Sequence, residues 1–123
     1  MKKLISITVN SEFLGRKGRA KERVFAFAYH IKITNNSRQS IQLLSRYWLI
    51  TDGNNSTHEI HGSGVLGQQP YIAAGESFEY SSNVMLPTPV GSMQGHYQMI
   101  SQSGDYFDAP IGAFPLALPM AVH

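Results

Sequence analysis

Apolar and polar residues alternate along most of this chain. In the segment Leu4 to Val9, Ile5, Ile7 and Val9 share one side and Leu4, Ser6 and Thr8 the other, the period of two that marks a strand half-buried at a sheet face. A longer series, Phe25, Phe27, Tyr29, Ile31 and Ile33, alternates with Ala26, Ala28, His30, Lys32 and Thr34 and predicts the clearest strand. It ends at Asn35, Asn36 and Ser37, whose side chains bond to nearby backbone and favour turns. Ile41 to Thr51 is apolar on both sides, with Leu43, Tyr47 and Leu49 against Leu44, Trp48 and Ile50. Such a strand is expected centrally, covered on one face by a second sheet and on the other by a loop or a partner.

Asp52, Gly53, Asn54 and Asn55 read as a turn into a short strand from Thr57 to His61. Phe78, Tyr80, Ser82 and Val84 alternate before Pro87, Thr88, Pro89 and Gly91 break the pattern. Met93 to Ser101 comes next, and Gly104-Asp105 turns the chain into Tyr106 to Leu118. About seven strands with almost no helical periodicity between them predict an all-β fold, an antiparallel sandwich forming one domain over residues 1–123. The predicted core is Ile5, Ile7, Phe25, Phe27, Tyr29, Ile31, Leu43, Trp48, Ile50, Phe78, Tyr97 and Phe114. Pro110, Pro115 and Pro119 cannot donate to a ladder, so the last strand is expected at an edge or broken by bulges.

A chain of 123 residues with 42% apolar side chains can bury one sizeable core. With no cysteine, a thiolate nucleophile, an iron–sulfur site and a zinc ribbon are excluded, leaving histidines and carboxylates as metal ligands. No run of 18 apolar residues exists, so no membrane insertion is expected and the predicted location is cytoplasmic. Charge is uneven: residues 1 to 23 carry a net +5 and the remaining hundred a net −3. Arg16, Lys17, Arg19, Lys21 and Arg23 fall in what reads as a Gly-punctuated loop, residues 14 to 23; a solvated loop is the expected reading, and a surface that meets phosphate or an acidic partner the alternative.

Gly62, Gly64 and Gly67 have the spacing G-x-G-x-x-G. In a dinucleotide-binding unit that spacing works because a helix comes after it and the helix N-terminus holds the pyrophosphate. Here Gln68, Gln69, Pro70 and Tyr71 come next without a helical pattern, so turn geometry is the expected role and a helix-free anion nest the alternative. His58 and His61, three apart on a strand, point to opposite faces and cannot share an ion unless a turn intervenes, which leaves direct Mg²⁺ or Co²⁺ binding there or at the scattered carboxylates as the weakest alternative. His30 and His96 sit inside strand patterns as polar-face residues. Asp105 and Asp108 read as turn and surface carboxylates. Neither a catalytic group nor a metal site nor a cofactor is expected. Trp48 could stack a base but fits a core better, and no nucleic acid partner is expected.

Several stretches resemble the ApaG family: Leu43-Leu44-Ser45-Arg46-Tyr47-Trp48 with Thr51-Asp52, Gly62-Ser63-Gly64-Val65, Gly67-Gln68-Gln69-Pro70, and Gly75-Glu76-Ser77-Phe78-Glu79-Tyr80. Pro87-Thr88-Pro89-Val90-Gly91-Ser92-Met93, Gly95-His96-Tyr97 and the ending from Phe114 to His123 match as well, from about residue 24 onward. Tyr47, where histidine is frequent, and the basic residues 14 to 23 depart from the pattern. The resemblance implies an immunoglobulin or fibronectin type III-like sandwich, a bacterial cytosolic protein linked with cobalt tolerance and magnesium efflux, and domains used elsewhere as protein-interaction modules. A domain without a spanning segment cannot itself carry ions across a bilayer, so that link is indirect. The function expected is a non-enzymatic protein-interaction module, with homodimerisation through an edge strand allowed; the alternative is pyrophosphate or nucleotide binding at Gly62, Gly64 and Gly67.

Overall fold

The period-two segments do form strands, eight in all among residues 4–18 and 23–119, the parts of the chain that the computed structural model describes. They are β1 (Ile5–Lys17), β2 (Val24–Asn35), β3 (Ile41–Asp52), β4 (Thr57–Ser63), β5 (Tyr71–Ile72), β6 (Ser77–Leu86), β7 (Val90–Ser101) and β8 (Tyr106–Ala117). All pairings are antiparallel. One sheet has the order β1-β2-β6, the other β4-β3-β7-β8 with β5 also paired to β3. The fold is an all-β sandwich.

Three irregularities decide which side chains enter the core. The ladder of β3 slips between Leu43 and Ser45. Ile41 and Leu43 point inward before the slip; Trp48 and Ile50 do so after it. A one-residue slip moves the inward set from odd to even positions, which is why both parities of this strand are apolar. On its outer face Tyr47 and Leu49 are half-buried, with Tyr47 stacked on His96 of β7 at a ring separation of 5.1 Å. A second slip, between Phe13 and Gly15, lets β1 run on to Lys17. The residues expected as a basic loop therefore begin as strand, because Leu14 interrupts an alternation that resumes beyond it. The third slip lies opposite Met93 and Gly95, in the proline-bearing edge strand β8, as the prolines predicted.

Trp48 is the hub of the core, with Tyr29, Tyr97 and Phe114 packed edge-on or tilted around it at 5.5, 6.3 and 5.9 Å. Of the expected core, Ile7, Phe78 and Phe114 are partly buried and the rest fully so. The Tyr80 and Tyr97 hydroxyls hydrogen-bond inside the sandwich, joining β6 of one sheet to β7 of the other. Desolvation raises both phenols above the ordinary tyrosine range, so both stay neutral.

Asn35 is the one fully buried polar side chain among the described residues. Its Nδ2 donates to the carbonyls of Gln39 (2.7 Å) and Ile72 (2.8 Å), and its Oδ1 accepts from the Ser37 N–H (2.9 Å) and hydroxyl (2.7 Å). Its backbone donates to Glu76 and accepts from Gly75. The end of β2, the turn before β3, strand β5 and the approach to β6 thus meet at one side chain. Each orphaned buried partner costs roughly 1–3 kcal/mol. Asn35→Ala is expected to destabilise the fold by about 3 kcal/mol or more in urea unfolding, whereas Asn36→Ala, at an exposed position, is expected to cost less than about 1 kcal/mol.

Candidate interaction surfaces

The glycine motif forms a tight hairpin. Gly62, near the end of β4, faces Arg46 on β3, whose Nη1 is close enough that a Cβ at Gly62 would lie 3.3 Å from it. Gly64 adopts φ +61 and donates its N–H to Leu44. Val65 and Gln68 exchange two backbone hydrogen bonds around Leu66 (φ 49) and Gly67 (φ 76). Two successive residues with positive φ make the two-residue turn that matches right-handed strand twist. Beyond the turn the chain is extended through Pro70 into β5 and forms no helix. The amides of Gly64, Val65 and Gln68 are already hydrogen-bonded within this corner.

Arg46 is the cation at this corner. Its Nη1 donates to the carbonyls of Ser63 (3.1 Å) and Gly64 (2.9 Å), and among the described residues it meets no carboxylate. A cavity of about 270 Å³ opens beside it, bounded by Leu66 and Gly67 on the loop and by Tyr80 and Ser82 on β6. A second depression of about 340 Å³ lies further along the same flank, between Ile50, Asp52 and His58 on one side and Met85, Leu86 and Pro87 on the other.

The two depressions share a cause. The sheet β4-β3-β7-β8 is wider than its partner, so β4 overhangs and every residue of it but Gly62 is exposed. Its sandwich-facing residues are His58, Ile60 and Gly62, opposite Ile50, Trp48 and Arg46. β6, the edge of the narrower sheet, has no strand on its second side among the described residues. The flank between β6 and β4 is therefore a trough, apolar at Ile60 and Leu86 and cationic at Arg46. At the opposite flank β1 leans on β8, with the Ser11 hydroxyl donating to the Pro115 carbonyl (3.1 Å).

The basic positions divide. Arg16 and Lys17 are exposed on β1, opposite Phe25 and Val24, and the Arg16 guanidinium lies 5.6 Å from the centre of the Phe25 ring. Arg23 is exposed just before β2. Arg19 and Lys21 fall outside the described residues. The glycine loop is not brought together with these residues by any pairing or contact described for the chain. His58 and His61 do lie on opposite faces, across from Ile50 and Tyr47. Asp105 is bound in the β7–β8 turn by the Ser103 hydroxyl, and Asp108 is exposed on β8.

Strand register brings together one cluster that linear spacing hides. His30 on β2 is paired with Ser81 on β6, and Glu79 is one step along the same face. The imidazole shares a hydrogen bond with the Ser81 hydroxyl through Nδ1 (2.7 Å) and another with the Glu79 carboxylate through Nε2 (2.8 Å). The order hydroxyl–imidazole–carboxylate is that of a hydrolase triad, but His30 and Glu79 are 43% and 54% exposed, where water competes for each bond. About fifty residues separate the partners, so only the pairing register could have found them. Arg46 did carry a signal: it is the lone cation of a strand whose residues are mostly apolar.

A family profile described as the ApaG domain matches residues 16–101. Among curated proteins, the chain is 47% identical over 119 residues to Protein ApaG of Pseudomonas fluorescens strain Pf-5, covering 97% of this chain and 94% of that one. It is 46% identical, with the same coverage, to Protein ApaG of Aromatoleum aromaticum. Among solved structures, a structural-genomics target aligns with a TM-score of 0.94 at 38% identity, covering 98% of this chain and 91% of that one. A Bordetella pertussis protein named ApaA aligns with a TM-score of 0.89 at 39% identity, covering 95% of each.

Two outcomes are expected of this geometry. A Cβ at Gly64 would lie 2.1 Å from the Gln68 carbonyl oxygen, whereas one at Gly67 meets nothing within 4 Å. Gly64→Ala should therefore lower stability by several kcal/mol in chemical denaturation and Gly67→Ala by only about 1 kcal/mol, the cost of positive φ alone. The second concerns acid. The hydrogen bond from His30 holds the Glu79 carboxyl below its ordinary 4.5, helped by charge on His30 and Lys32 and opposed by desolvation. A carboxyl with a lowered folded-state pKa contributes fully above 4.5 and loses that contribution as pH falls through the folded value. His30→Ala should lower the urea midpoint above about pH 5, where this contribution is fully present, and flatten its decline between about pH 5 and pH 3, so that the variant approaches the parent as pH falls.

Proposed function

The chain belongs to the ApaG family, and from that footing we propose that it is a non-enzymatic protein-interaction module. The observation that carries this reading is the unpaired flank of the sandwich: an edge strand without a neighbour among the described residues, an overhanging β4, and exposed Ile60, Leu66 and Met85 beside them. Edge strands with free backbone groups are templates for other chains. Arg16, Lys17 and Arg23, with Arg19 and Lys21 next to them in sequence, supply a second, cationic surface that favours acidic partners by long-range attraction. The residues that carry chemistry do not argue for catalysis, since the His30 cluster stands on an open sheet face. In this reading the protein acts in the cytoplasm, and its association with cobalt tolerance and magnesium efflux runs through the partner that it binds. Pairing of two copies through an edge strand uses the same surface.

The alternative, pyrophosphate or nucleotide at Gly62, Gly64 and Gly67, rests on the Arg46 guanidinium beside the loop. It has less support, because three of the loop amides are committed to carbonyls of the fold. Co-precipitation from a native lysate, using the full chain, should recover a partner in stoichiometric amount, and deletion of the gene should lower cobalt tolerance. Absence of a partner together with unchanged tolerance overturns the interaction reading. A melting temperature that climbs with the logarithm of pyrophosphate excess would instead support the alternative.

A further inference from the structure

We propose that the trough between β6 and β4 receives an extended acidic segment of a partner protein, added as an antiparallel strand to β6 with a glutamate or aspartate side chain resting on Arg46. The proposal rests on the interaction reading and specifies where and what the module binds.

Three features of the chain converge on it. The first is the backbone. β6 is antiparallel to β2 over its whole length and has no partner on its other side among the described residues. Antiparallel addition continues the only pairing mode used in this sheet and is the slightly more stable one per residue. From Tyr80 to Leu86 the edge measures about 20 Å, room for roughly six or seven residues of an incoming strand. The second is shape. The overhang of β4 sets His58 across a depression from Met85 and Leu86 of this edge, with Ile60 next to it on the same inner face, so an added strand would be flanked by β4 and not left in open solvent. Ordinary free edges lack such a wall.

The third is charge. Arg46 is half-buried on the trough side, with its bonds among the described residues going to two neutral carbonyls. A guanidinium has five N–H donors and a geometry that matches a carboxylate through two parallel hydrogen bonds, so a partner carboxylate would complete it. The other end of the trough is different in kind: Asp52 stands there, with Oδ1 already accepting from the Asn54 and Ser56 amides. The trough thus has a cationic end at Tyr80 and an anionic end at Leu86. Because an added antiparallel strand runs from Leu86 towards Tyr80, its carboxylate falls near its C-terminal end and its apolar residues come earlier, over Ile60 and Leu86.

The test uses the intact protein and a capped eight-residue probe that alternates threonine with valine or isoleucine and ends in glutamate and glycine amide. Binding is monitored by NMR titration into the millimolar range, and hydrogen exchange locates it. The glutamate probe should bind at least about tenfold more tightly than its glutamine counterpart at low salt, and exchange should slow along β6 but not along β1 or β8. Arg46→Gln should remove the preference for glutamate and Arg46→Lys should retain most of it. Since Arg46 also holds two loop carbonyls, each variant is first checked by thermal melting, and the glutamate-to-glutamine comparison on the unaltered chain stands without any variant. Equal affinity for the two probes, protection at β1 or β8, or no binding at all overturns the proposal. So does tighter binding of a glutamine probe with an uncapped C-terminus than of the capped glutamate probe, which would assign Arg46 to a chain terminus. Ser82→Arg, which fills the cavity, separates this failure from that of the broader reading. A native partner still retained by that variant sinks the trough and keeps the module, and a chain that never retains a partner sinks both.

Discussion

A single amide holds the two-layer arrangement in register. Asn35 sits where β2 ends and the chain must leave one sheet for the other, and its side chain donates to the Ile72 carbonyl in the interior and to the Gln39 carbonyl at the turn. The constraint is electrostatic and unforgiving: buried backbone groups without partners cost more than most apolar contacts return. Fixing that corner places β5 against β3 and sets the start of β6 through the Glu76 carbonyl. The position of β6 in turn determines how far β4 projects beyond the narrower sheet. The trough at the flank thus has its walls held by two ladders, β2 with β6 and β3 with β4, that start from opposite sides of this corner.

Much of this fold was legible in the residues, because a sandwich buries one face of each strand and the burial writes itself as alternation. Phe25 to Ile33 reads correctly for that reason, and so does the turn at Asp52. Where the reading stopped short, a slip in register was responsible. Leu14 hides the second half of β1, so Arg16 and Lys17 look like loop residues when they are strand residues flanking Phe25 and Val24. Leu44 hides the inward phase of β3 and makes a strand with one packed face look packed on both. β5 is two residues long, too short for any period to be seen.

The candidate surfaces were less legible than the fold, again for a physical reason. A turn glycine can be argued from its local spacing, and the absence of a helix behind Gly67 is implied by Pro70 and its neighbours. What lies next to the turn cannot be argued that way. Arg46 reaches Ser63 and Gly64 across a strand pairing, and His30 reaches Ser81 and Glu79 across another. Such meetings depend on which strands become neighbours, and β6 pairs with β2 from far along the chain. Asn35 was readable as a turn residue, but its burial was not, since nothing in its local sequence distinguishes it from the exposed Asn36.

The two flanks of the sandwich are unequal in a way that bears on assembly. On one side β8 carries Pro110 and Pro115, which lack the N–H that a docking strand would need, and β1 leans against it through Ser11. On the other side β6 and β4 are bare among the described residues. A strand docking on β8 would meet two positions that cannot donate to its ladder, whereas β6 offers an N–H at every residue, so the two flanks differ in how many rungs an incoming ladder could form.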